Sequence, residues 1–110
     1  MIADALKKIR DALLTVGPSV FHCQAFHKPD QYIVWAEDGD GANVWADDTC
    51  TLQSLQGTTD YFTRTEFDPA VDAIQAALNN AEVIWRYNSV QYEQDTGYFH
   101  HEWVWEVTVS

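Results

Sequence analysis

Apolar residues recur at Ile2, Leu6, Ile9, Leu13 and Val16, in steps of four and three that trace one face of a helix. Lys7, Lys8, Arg10 and Asp11 fill the opposite face, and Gly17-Pro18 stops the element because neither residue continues a helix well. A second helical stripe is Ala70, Val71, Ile74, Ala77, Leu78 and Ala81. Asp68 is the expected N-cap, Pro69 suits the first helical position, and Asp72 favours the positive end of the helix dipole. The alternation changes to a period of two at the end of the chain. Phe99, His101, Trp103, Trp105, Val107 and Val109 share a predicted buried face, and Tyr98, His100, Glu102, Val104, Glu106 and Thr108 share the other. Val83–Glu93 precedes this strand across the turn Gln94-Asp95-Thr96-Gly97, which predicts a hairpin.

Three further strands are expected between the helices. Val20–Cys23 and Gln31–Trp35 are short β-rich runs, and a longer one runs from Thr49 to Arg64. Gly57 breaks the alternation of the longer run, so a bulge is expected there. Asp38-Gly39-Asp40-Gly41 reads as turn chemistry inside an acidic loop from Glu37 to Asp48. The order is α-β-β-β-α-β-β, an α+β fold with a mostly antiparallel sheet and the second helix packed on it.

The 110 residues suit a single domain spanning 1–110, with 46% apolar and 14% aromatic residues, enough to fold and bury a core. Charge changes the picture more. The net charge is −11, but residues 1–28 carry four bases and two acids, while residues 29–110 carry fifteen acids and two bases. So acidic a chain gains nothing from releasing counterions on a phosphate backbone, which argues against nucleic-acid binding and against anionic membranes. No apolar run approaches the ~20 residues of a membrane helix, and the charges among residues 4–11 spoil a signal-peptide core. Cys23 and Cys50 form no C-x-x-C pair, so buried thiols and cytosolic synthesis are expected in preference to a disulfide.

Candidate chemistry is sparse. Asp38 and Asp40 begin a calcium-loop pattern that fails where Ala42 and Asn43 stand. His22, His27 and Cys23 contain the atoms of a zinc site, but their spacing fits no structural zinc pattern, and His100-His101 point to opposite faces of a strand. Paired carboxylates are uninformative among seventeen acids, and Trp103 with Trp105 read as core rather than as a sugar platform. There is no G-x-S-x-G, no activated cysteine and no phosphate loop. The expectation is a protein without catalytic residues, cofactor or metal. Trp45, between an Asp/Gly loop and Asp47-Asp48, reads as an exposed contact residue.

The layout resembles a family. A short helix closed by Gly17-Pro18 leads to a strand pair, then to an acidic loop and to a strand ending Asp60-Tyr61-Phe62-Thr63-Arg64. Asp68-Pro69-Ala70-Val71 opens the second helix, and an aromatic hairpin follows. This order is similar to the small tail-completion proteins of long-tailed bacteriophages and prophages, the tail-terminator or tail-to-head joining family. The resemblance implies a virion protein that caps the tail tube as a homo-oligomeric ring, usually of six copies, and meets the tube protein and the head connector. It also implies assembly in the host bacterial cytoplasm. On this reading Glu37, Asp38, Asp40, Asn43, Trp45, Asp47 and Asp48 are candidates for lumen or subunit contact, and Lys7, Lys8 and Arg10 for a complementary basic patch. The competing expectation is an acidic DNA mimic or inhibitor that binds a basic partner one to one. A Trp-rich sugar-binding module stands third.

Overall fold

In the computed structural model, which describes residues 1–109, two helices cover one face of a six-stranded mixed sheet. The elements run α1 (Ile2–Leu14), β1 (Ser19–His22), β2 (Gln31–Asp40), β3 (Val44–Ala46), β4 (Thr49–Thr63), α2 (Ala70–Asn80), β5 (Ile84–Glu93) and β6 (Tyr98–Val109). The sheet order is β1-β2-β4-β6-β5, with β3 also paired to β4. Among the described residues only β1 and β2 pair in parallel; every other pairing is antiparallel. This is the expected α+β architecture with one extra short strand.

The core lies between the helices and the sheet. Ala5, Ile9 and Leu13 of α1 and Ile74, Ala77 and Leu78 of α2 close over Ile33, Trp35, Tyr61, Trp103, Trp105 and Val107. Ile2 is in line with the α1 stripe yet exposed, one turn beyond Ala5. The two central indoles are fully buried without an orphaned donor: Trp103 Nε1 donates to Gln75 Oε1 and Trp105 Nε1 to Thr59 Oγ1, each at 3.1 Å. α2 starts one residue later than expected, with Pro69 at the N-cap position in helical φ and ψ, and Asp68 before it accepts the Ala70 N–H through Oδ1 at 2.8 Å.

Several local expectations need correction. Residues 37–48 are not an open loop. β2 runs on to Asp40, and β3 continues along the same edge of β4 to a two-residue turn at Asp47-Asp48. Both turn residues have positive φ, 51° and 63°, the geometry of the tight hairpin turn whose twist matches its strands. The expected bulge lies on the partner strand: the register slips between Glu37 and Gly39, opposite Gly57, so Asp38 is the extra residue. The buried face of β6 starts at Trp103, with Phe99 and His101 only half-buried. Tyr98 is buried on the opposite face, where its hydroxyl donates to the Lys28 and Pro29 carbonyls at 3.0 and 2.7 Å. The segment between β1 and β2 therefore covers the far side of the sheet at that end. Neither cysteine is buried: Cys23 is exposed and Cys50 half-exposed, both as free thiols.

Candidate assembly surfaces

The hairpin of β3 and the first residues of β4 extends the sheet into an arm, in a molecule measuring 52 × 24 × 24 Å. Its base is tied down by side chains. Asn43 Oδ1 accepts the Ser54 N–H at 2.9 Å, and Asp40 accepts from Asn43 Nδ2 and Gln53 Nε2 at 3.1 and 2.8 Å. The Ala42 N–H donates to Glu106 Oε1 at 2.9 Å. Beyond this base the arm offers apolar side chains to solvent: Trp45 is 64% exposed, with Val44 and Leu52 exposed beside it.

The sequence-predicted contact residues divide into four groups. Trp45, Asp47 and Asp48 lie at the arm tip, all exposed. Asp38, Asp40 and Asn43 sit toward its base, and the hydrogen bonds of Asp40 and Asn43 give them a structural duty there. Glu37 belongs elsewhere: its Oε1 is 2.6 Å from His22 Nε2 at the β1 edge, and that hydrogen bond holds its carboxyl below the usual carboxylate range. Lys7, Lys8 and Arg10 are exposed on α1, and Lys7 and Arg10 line a groove against Val20, His22 and Trp35.

A second apolar surface, which sequence reasoning missed, stands at the opposite end of the sheet. Phe67 is 93% exposed at φ 56°, projecting beside a cleft of about 520 Å³ lined by Val71, Tyr87, Val90, Phe99 and His101 and bordered by the acids Glu66, Asp68 and Asp72. The signal was present in Phe67 and Val90, but only the register of β5 on β6 brings them together: Val90 opposes His101, and Tyr92 opposes Phe99. The outer edge of β5 is unpaired but interrupted. Its register slips at Asn88, which is held by Arg86 at 2.9 Å and by Glu102 at 2.6 Å. A bulge of this kind blunts strand addition, so this end presents side chains rather than a continuous ladder.

Between these ends one carboxylate organises the start of α2. Asp68 Oδ2 accepts from Tyr61 Oη, Thr63 Oγ1 and Gln31 Nε2 at 2.6, 2.7 and 2.9 Å. Burial alone raises the Asp68 carboxyl, but these donors and the Ala70 N–H outweigh it and hold the group below its ordinary value. Burial and the Asp68 charge push the Tyr61 hydroxyl far up, so it stays a donor. These groups are fully partnered and structural. On the far face His100 Nε2 meets Asp60 Oδ1 at 2.7 Å, which raises the imidazole above its usual value. Among the described residues, the one group with metal-ligand potential is His22, Cys23 and Glu37, whose ligand atoms lie within 4.8 Å of one another. His27 is not in it and packs edge-on against Phe21.

Comparison with solved structures adds a likeness of fold. The chain is similar to a protein in the virion of a native gene transfer agent (GTA) particle, with a TM-score of 0.58 and 10% identity. The match covers 96% of this chain and 90% of that one, so the likeness of fold extends over nearly the whole of both. No protein-family model matches the sequence. No curated protein matches it either.

Proposed function

We propose that this protein is a non-enzymatic structural component of a phage-like virion, and that it assembles head to tail into a closed ring. The observation that carries the reading is the placing of two unlike apolar surfaces at opposite ends of one elongated domain. The arm tip around Trp45 is a projection, and the Phe67–Val90 cleft is a recess. A projection at one end and a recess at the other is the requirement for a heterologous contact, which closes into a ring when its rotation allows. The fold likeness to a chain of a virion supports the same reading.

On this reading the ring, of six copies in the tail-terminator resemblance, caps the tail tube and meets the head connector. Asp38 and Asp40, toward the arm base, supply carboxylates suited to a lumen that does not hold DNA phosphates, while Asp47 and Asp48 go with Trp45 to the subunit contact. The basic face of α1, with Lys7, Lys8 and Arg10, is the complement on a neighbouring subunit. The deciding experiment is the native mass from low micromolar to near-millimolar protein. A closed species of about six copies supports the ring. A two-fold dimer overturns it, and so does a monomer that binds a basic protein one to one, the behaviour of an acidic inhibitor.

A further inference from the structure

We infer that His22, Cys23 and Glu37 form a binding site for a zinc-class divalent metal ion, with three ligands from this chain and an open fourth position. The three donor atoms, an imidazole nitrogen, a thiol sulfur and a carboxylate oxygen, all lie within 4.8 Å of one another at the β1 edge of the sheet. A tetrahedral zinc shell spaces its donors by about 3.5 Å, so small side-chain rotations complete the geometry.

The backbone explains why these residues converge. β1 and β2 run parallel with His22 opposite Trp35, so Glu37, two residues further along β2, points to the same face just past the end of β1. Cys23 follows His22 directly, and in a regular strand its side chain would point the other way. Instead Cys23 has left-handed backbone, φ 72°, and its N–H donates to the Trp35 carbonyl at 2.9 Å. That reversal returns the thiol to the side of His22. A non-glycine residue held in this region is costly, and such outliers gather where a side chain must be aimed. The imidazole is fixed as well, stacked on the Trp35 ring at 4.1 Å between centroids.

The donor chemistry selects the ion. One thiolate and one imidazole favour zinc over calcium or magnesium, which take all-oxygen shells. Thiolate and carboxylate together carry two negative charges, which neutralise a divalent ion beside the cationic Lys7 and Arg10 of the adjoining groove. On binding, the thiol proton and the proton that lies between His22 and Glu37 both leave to solvent, the metal takes their place, and water fills the fourth position.

The test uses the full chain, stripped by chelation and titrated with Co²⁺ as a spectroscopic stand-in for Zn²⁺. The expected result is one equivalent bound, with a thiolate-to-cobalt charge-transfer band that excess Zn²⁺ abolishes. C23S removes the band and C50S retains it, while H22N and E37Q each weaken binding by about tenfold or more. All four positions lie at or near the surface, and unchanged melting curves confirm that the variants fold. Absence of the band in the wild-type protein, its survival in C23S, or its loss in C50S overturns the assignment.

Discussion

Gly57 stands directly opposite Trp105 in the ladder between β4 and β6, and a Cβ built on it would lie 2.5 Å from the indole Cζ2. The same Cβ would press into the Ala36 carbonyl on the other side. Trp105 therefore occupies the space that a side chain at 57 would fill, and β4 needs glycine there because its neighbours leave no volume. Gly57→Ala should destabilise the fold by about 3 kcal/mol, the upper range for overpacking a rigid site. Denaturant unfolding reads this directly as a lower midpoint at unchanged slope; an unaltered midpoint would show that Trp105 can move aside.

Asp68 joins the start of α2 to β2 and β4, so its loss should be felt by both layers. Asp68→Ala removes the helix cap and leaves the Tyr61 and Thr63 hydroxyls without their acceptor, at a cost of about 3 kcal/mol. Because the folded carboxyl titrates below its unfolded value, its contribution is complete above about pH 4 and is lost as pH falls through the folded value. Asp68→Asn should flatten this acid limb. Urea midpoints measured from about pH 6 down to pH 2 check it.

His100 and His101 are neighbours in the chain with opposite shifts. The hydrogen bond to Asp60 raises His100 against the effect of burial, whereas burial lowers His101. The His100 contribution to stability is thus complete below its unfolded value of about 6.5 and is lost as pH rises through the folded value. That of His101 runs the other way, complete above about 6.5 and lost as pH falls. NMR titration of the imidazole side chains should place His100 above His101, and Asp60→Asn should bring His100 down. The reverse order would mean that the Asp60 contact does not form.

Head-to-tail assembly predicts complementary defects. Trp45→Ser removes the projection and Val90→Asp spoils the recess, and each should weaken self-association by about 30-fold or more without lowering the melting temperature. Mixed together, the two variants retain one intact contact and should form a heterodimer that grows no further. Charge reversal at Lys7, Lys8 and Arg10 should also impair assembly, and intact rings in that variant would remove the first helix from the interface. Sedimentation velocity distinguishes all of these species.

Much of the fold is legible where packing and local pattern agree. Trp103, Trp105 and Val107 keep a strict period of two because that side of β6 is buried from Trp103 onward, and Ile74, Ala77 and Leu78 keep the helical period for the same reason. The pattern fails where a distant segment decides the outcome. Tyr98 is covered by the carbonyls of Lys28 and Pro29, about which the local alternation carries no information. Asp38, Gly39 and Asp40 read as a turn because such residues are poor strand formers, yet β4 is long enough to pair Gly39 and Asp40, with Asp38 bulged out before them. Of the candidate surfaces, the exposure of Trp45 follows from its polar neighbours, but the Phe67 recess depends on cross-strand register. The convergence of His22, Cys23 and Glu37 is hidden twice, by a parallel pairing that leaves no local signature and by one left-handed residue that reverses the expected facing.

β4 serves two regions at once, and this has a mechanical consequence. Its first residues carry the arm, while Gln53 to Thr63 pair continuously with Val109 to Phe99 of β6. A pull on the arm tip therefore acts along the strand axis and loads the hydrogen bonds of that ladder side by side, in shear. Bonds loaded together resist far more force than bonds opened one after another like a zip. A neighbour gripping the arm would draw on the strongest direction of the sheet, with the buried indoles of β6 resisting the slide.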